Sequence, residues 1–193
     1  MKVNIRQIIG NWNDGYVLDK HSLHSEVVGQ NAQGYPVWNT TRTEVGEALF
    51  QLKYRGDFSQ IEPLAAQLSE SIYPLFDRVG LIVPMPASNF RNRQPVTELA
   101  LELGRLVGKP VFDELLTKTA NGQQLKDLTN KADKQAALVN SFTLHEGISN
   151  EGRWNALLVD DLFHTGASLE AACTALRTYR KIDRVYVAAI TWR

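Results

Sequence analysis

Apolar and polar positions change rhythm twice along the 193-residue chain. Up to about residue 40 the apolar stretches are short: Tyr16-Val17-Leu18, Glu26-Val27-Val28 and Tyr35-Pro36-Val37-Trp38. They alternate with Asn, Asp, Gly and Gln, which predicts short antiparallel strands joined by turns. From Thr43 the spacing becomes helical, with Val45, Leu49 and Leu52 on one face and a stop at Tyr54-Arg55-Gly56-Asp57. A second helix is predicted from Ser59 to about Phe76 on Ile61, Leu64, Ala65, Leu68 and Ile72.

Strand and helix then alternate. Val79-Gly80-Leu81-Ile82-Val83 is a continuous apolar run ending at Pro84, the pattern of a strand covered on both faces in a parallel sheet. A helix from Pro95 to Val107 follows, with proline in its first turn and Gly108 just beyond its end. After an apolar piece at Val111-Phe112, the polar stretch from Lys118 to Lys134 reads as a mobile loop, leading into a helix near Lys134 to Leu138. Ala156-Leu157-Leu158-Val159 reads as a strand, Leu169 to Arg180 as a helix and Val185 to Ile190 as a last strand. The prediction is an α/β fold, a parallel sheet flanked by helices. Residues 1–42 form a small hood or edge of short strands and residues 43–193 the α/β domain, the whole making one compact unit.

Composition narrows the partners. Lys plus Arg equals Asp plus Glu at 21 each, so net charge selects neither nucleic acid nor an anionic membrane, and an anion site has to be local. A single cysteine, Cys173, excludes an internal disulfide and a multi-cysteine zinc site. It reads as a small buried helix residue. With no run of 18 apolar residues and no apolar leader, the expectation is a cytoplasmic protein that does not enter membranes.

Ligands of parallel sheets bind at the carboxyl ends of strands. There the segment Ala156 to Leu169 delivers Asp160 and Asp161 at the end of an apolar strand, then a turn, His164-Thr165-Gly166-Ala167-Ser168, then an amphipathic helix. Backbone N–H groups at a helix start lack internal partners and favour an anion, and Gly166 permits close approach or positive φ. A phosphate monoester suits the turn. The carboxylates would repel that phosphate, but they can accept hydrogen bonds from ribose hydroxyls or contact magnesium.

This segment, Leu157 through Leu169, resembles the signature of the type I phosphoribosyltransferases: an apolar strand, two acidic residues and a Thr-Gly turn. Within that class the resemblance is to the ComF-like group, through Leu52-Lys53-Tyr54-Arg55-Gly56-Asp57 and Val83-Pro84-Met85-Pro86, and it extends over about Thr43 to Ile190. The resemblance implies transfer of a phosphoribosyl group from phosphoribosyl pyrophosphate (PRPP), with magnesium, to a nitrogen nucleophile whose identity the sequence does not reveal. It implies that Asp160 and Asp161 hold the ribose hydroxyls, with magnesium as a further ligand, and that His164, Thr165, Gly166, Ala167 and Ser168 bind the 5-phosphate. Ser88, Arg91 and Arg93 would meet pyrophosphate, and Lys118, Lys126 and Lys131 would lie on a loop over the site. His164 reads either as an acid or base or as a neutral donor in the phosphate loop.

Two departures stand out. The group's cysteine zinc finger cannot be built here, and its Arg-Gly-Phe-Asn-Gln run is replaced by Asn92-Arg93-Gln94-Pro95-Val96-Thr97. The second departure supports an alternative reading, a PRPP- or nucleotide-binding regulatory protein that has lost turnover. A homodimer is left open.

Overall fold

The computed structural model describes residues 1–87, 91–118 and 141–193. Ser88, Lys126, Lys131 and the predicted helix near Lys134 to Leu138 lie outside the described residues. Within them, the strands β1 (Arg6–Gln7), β2 (Asp14–Lys20), β5 (Val79–Pro84), β8 (Trp154–Phe163) and β9 (Ile182–Trp192) form one sheet, in the order β1-β2-β9-β8-β5. The pairings of β2 with β9, β9 with β8 and β8 with β5 are parallel, and only the short edge strand β1 is antiparallel. Val111 continues the opposite edge through a parallel bridge to Ile82.

Adjacent residues on a strand face opposite ways, so each central strand feeds two cores. Ala156 and Leu158 pack with Val17, Leu81, Val187 and the helix α4 (Ala167–Arg177) on one face. Leu157 and Val159 pack with Leu18, Ile82, Tyr186 and Ile190 on the other, beneath α1 (Glu44–Phe50), α2 (Ile61–Ser71) and α3 (Pro95–Val107). Burial on both faces is what makes these strands read as unbroken apolar runs.

The helix limits follow from their end residues. Thr43 caps α1: its hydroxyl accepts from the Gly46 N–H at 2.9 Å and donates to the Lys20 carbonyl at 2.7 Å, tying the helix to the end of β2. The α1 helix runs into a π-helical turn, Gln51–Arg55, which stops at Gly56 with φ 69°. In α3, Pro95 holds the first turn and Gly108, at φ 64°, ends it, as the sequence predicts. Cys173 is fully buried in α4, and burial pushes its thiol up to about 12, the inert condition expected for it.

One expectation is corrected. Tyr16-Val17-Leu18 pairs antiparallel with β1 as expected, but it is not part of a separate hood: it lies in β2, also parallel to β9 inside the main sheet, with Val17 and Leu18 fully buried. The hairpin of β3 (Ser22–Gln30) and β4 (Pro36–Arg42) is antiparallel as expected and stands off the sheet, with Val27 opposite Trp38 and both exposed. Residues 8–15 instead buttress α4. Asn11 donates to the Glu170 carbonyl at 2.9 Å, and Asn13 accepts from Arg177 and from the Val185 N–H.

Lys181 is buried after α4, its ammonium donating to the carbonyls of Ile148 at 2.7 Å and Asn150 at 2.9 Å. Replacing it by methionine keeps the stem but removes the charged donor, leaving the Ile148 carbonyl only the longer 3.4 Å bond from the Tyr179 hydroxyl, a cost of about 1–2 kcal/mol. Chemical denaturation is expected to show that loss.

Candidate functional site

The parallel strands bring their carboxyl ends to one edge, and the chemistry collects there. β8 delivers Asp160 and Asp161 as expected, although the strand continues beyond them: Asp160 stays paired with Ala189, and Leu162 and Phe163 with Thr191 and Trp192. The two carboxylates therefore sit on a rigid ladder, not on a loose turn. Neighbouring β5 ends at Pro84, where the Met85 N–H donates to the Val159 carbonyl at 2.8 Å and leads the chain past Pro86. Between these strand ends and the start of α3 lies a cavity of about 260 Å³. Its wall includes Asp160, Asp161, Lys53, Pro86, Arg91 and Thr97.

Charge at this wall is finely divided. Lys53, from the π-helical turn, places its ammonium 2.5 Å from Asp161 Oδ2. Asp160 accepts from the Asp161 N–H at 2.8 Å. Burial and the like charge of Asp161 nevertheless push its carboxyl up to about 7, with Lys53 and Lys118 opposing that rise. Lys118 ends β6 (Leu116–Lys118), which pairs antiparallel with β7 (Phe142–Leu144). Burial lowers its pKa while Asp160 raises it, so this predicted lysine does stand in the field of the acid pair.

Behind the pair, the Thr191 hydroxyl donates to the Asp161 carbonyl at 3.2 Å, and Nδ1 of the buried His21 lies 3.2 Å from that hydroxyl oxygen. With the Thr191 proton committed, Nδ1–H of His21 is the donor. Burial first, then Arg193, Arg42 and Lys53, lower the His21 pKa and keep the ring neutral.

The turn after β8 has the predicted shape. Gly166 adopts φ 79°, and α4 starts at Ala167 with no side chain capping it. A Cβ on Gly166 would lie 3.1 Å from the Phe163 ring and 3.4 Å from Trp12, itself edge-on to Phe163. Gly166→Ala therefore forces alanine into left-handed backbone against two rings, and a stability loss of about 1–3 kcal/mol is expected in urea unfolding. His164, Thr165 and Ser168 are exposed, Ala167 is half-buried, and none of the four is in the wall of the cavity next to the acid pair.

Of the arginines, Arg91 lines the cavity and donates to the Lys53 carbonyl at 3.0 Å. Arg93 is held by both carboxylate oxygens of Glu98, at 3.2 and 3.0 Å, and lies over the Phe58 ring at 3.9 Å. It lines an adjoining depression with Phe58 and Leu52, not the cavity of the acids. Lys53 is the member that the residue pattern did not single out as a site. Its one signal was its place in the Lys-Tyr-Arg-Gly-Asp segment.

No family model matches the chain. By sequence it is similar to the competence protein ComFC of Bacillus subtilis (strain 168), 27% identical over 133 residues, or 67% of this chain and 52% of ComFC, so the match spans about half of that relative. By structure it is similar to adenine phosphoribosyltransferase of Trypanosoma brucei, in complex with AMP, pyrophosphate and ribose-5-phosphate. That likeness has a TM-score of 0.53 and 12% identity, covering 100% of this chain and 76% of the other. Adenine phosphoribosyltransferase of Leishmania tarentolae gives a TM-score of 0.51 at 9% identity, covering 98% and 95%. The strand order, the acid pair near the end of β8 and these likenesses together give the chain the type I phosphoribosyltransferase fold, with a sequence that resembles the ComF-like group.

Proposed function

We propose that the chain is a phosphoribosyltransferase, which transfers the phosphoribosyl group of PRPP to a nitrogen nucleophile and releases pyrophosphate. One observation carries this reading. Asp160 and Asp161 stand on the end of β8 at a cavity that also holds Lys53 and Arg91, and the same strand leads directly into the left-handed Gly166 turn and the uncapped start of α4. A polyanionic sugar needs this combination: acceptors for hydroxyls, cations for one anionic end and open amides for the other.

In the proposed reaction the nucleophile's lone pair forms the new bond to C1, and the bond from C1 to oxygen breaks with its electrons onto the departing pyrophosphate. Asp160 and Asp161 accept from the ribose hydroxyls and hold C1 in line. The amides and hydroxyls of Thr165 to Ser168 hold the 5-phosphate, with His164 as a further donor. Arg91 faces the pyrophosphate and Lys118 adds positive field near Asp160. Among the described residues no group of three or more His, Cys, Asp or Glu could cage a metal. The two carboxylates fit a magnesium ion that keeps most of its ligands from the substrate and water, and such an ion would neutralise charge on the leaving pyrophosphate.

A second reading has its own support in the engagement of Arg93 by Glu98 and in the ComFC likeness, a competence protein by name: a protein that binds PRPP or a nucleotide without turning it over. Incubating the chain with PRPP, magnesium and a panel of bases, ammonia and amines separates the two. Pyrophosphate release with one acceptor is the expected result, and PRPP binding with no release across the panel favours the regulatory reading. The β3–β4 hairpin is proposed as the variable hood, and a cytoplasmic location goes with the reading.

A further inference from the structure

Lys53 sits in the π-helical turn Gln51–Arg55, and π turns recur at functional sites because the inserted residue re-aims those around it. Leu52 is buried at 1% exposure, while its neighbour Lys53 reaches the carboxyl edge of the sheet and Asp161 Oδ2. The same residue's carbonyl accepts from Arg91. One backbone position thus carries Lys53 and tethers Arg91, the two basic side chains among the described residues of the cavity wall, and the wall sets them against Asp160 and Asp161.

That wall is close to neutral as it stands, so it has no charge to spare for a diphosphate. Like charges a few ångströms apart near a protein surface repel strongly, so a diphosphate beside two carboxylates needs a cation that comes to it. Arg91 is tethered to the π turn. Lys53 carries a compact charge on a flexible stem and is the group free to swing. It also occupies the Asp161 oxygen that a ribose hydroxyl would need.

Resting on the phosphoribosyl reading above, we propose that Lys53 is a diphosphate-binding residue of this site beside Arg91, parked on Asp161 in the free protein and transferred to a diphosphate oxygen on binding, which releases Asp161 to the ribose. The segment would supply a cation where the replaced run at Asn92 to Thr97 has only Arg93, which Glu98 holds outside this cavity wall.

Calorimetric titrations of wild type, Lys53→Met and Lys53→Arg, with inorganic pyrophosphate plus magnesium and separately with ribose 5-phosphate, test this. Loss of a charge-assisted contact should weaken pyrophosphate about tenfold to a hundredfold in Lys53→Met, with partial recovery in Lys53→Arg. Ribose 5-phosphate, which has no diphosphate, should bind as well as before or better, since Asp161 is freed. Unchanged pyrophosphate affinity in Lys53→Met, or no pyrophosphate binding by wild type, overturns the proposal. An equal loss for both ligands also overturns it, because that marks a merely structural role. Wild type that binds pyrophosphate but not ribose 5-phosphate sinks the phosphoribosyl reading instead, and leaves the lysine's role to the first titration. If Lys53→Met does not fold, Asp161→Asn is compared with Asp161→Asn plus Lys53→Met, where no carboxylate is left unpaired and the same pyrophosphate loss must appear.

Discussion

Changing Asp160 and Asp161 together to asparagine should abolish most turnover, lowering kcat on the order of a hundredfold or more while KM rises much less. The fold should survive. Burial and Asp161 already push the Asp160 carboxyl up to about 7, so an amide at that position removes a charge that the folded state disfavours. The Asp161→Asn change leaves Lys53 without its acid, but that lysine side chain is 22% exposed and its ammonium can be solvated, a cost of about 1 kcal/mol or less. The Gly166 turn is untouched, so on the proposed reading ribose 5-phosphate should still bind through its phosphate. Rates of pyrophosphate release set beside calorimetry of ribose 5-phosphate make the check. A doubly substituted protein that folds and keeps its rate within about threefold would remove the carboxylates from the mechanism.

The second large effect is expected from Thr165→Val combined with Ser168→Ala. Both hydroxyls are exposed at the start of α4, where no side chain caps the helix, so their loss costs the free protein little. Each hydroxyl that meets a charged phosphate contributes roughly 1.5 to 3 kcal/mol, and the pair together on the order of a hundredfold to ten-thousandfold in affinity. Binding of ribose 5-phosphate should fall by that factor, while pyrophosphate with magnesium should bind as in wild type. Equal affinity of the double variant for ribose 5-phosphate would take the 5-phosphate away from this turn.

Much of this architecture is written locally. Pro95, Gly108 and the spacing between them fix α3, and Ala156 to Val159 announce a doubly covered strand, because helix ends and burial on two faces leave short-range marks. The acid pair and the Gly166 turn were legible for the same reason. What was not legible depends on partners far away in sequence. Tyr16-Val17-Leu18 looks like any short strand until β9 is beside it, and nothing near residue 16 names a parallel partner at residues 186–192. Lys53 occupies the polar side of an amphipathic helix, where a lysine is ordinarily solvated. The π turn that brings it to Asp161 has no periodic signature. Likewise, that His21 and Thr191 steady the Asp161 backbone follows only from the meeting of two strand ends.

The placement of β2 has a consequence for how the molecule is made. Its ladder joins residues 14–20 to residues 186–192, nearly the full span of the chain, whereas β5, β8 and β9 are linked by nearer connections. During synthesis β2 emerges early and, apart from the two-residue β1, has no strand partner until β9 has left the ribosome. Until then Val17 and Leu18 are apolar groups on a strand whose β9 side is open. Closing so long a loop costs entropy before its contacts repay it, which places β2 docking late and makes it a slow step of folding. Because residues 8–15 travel with β2 and brace α4, the phosphate turn would become rigid only in that final step. A nascent chain could therefore hold its acid pair on a formed β8 while its anion cradle is still loose.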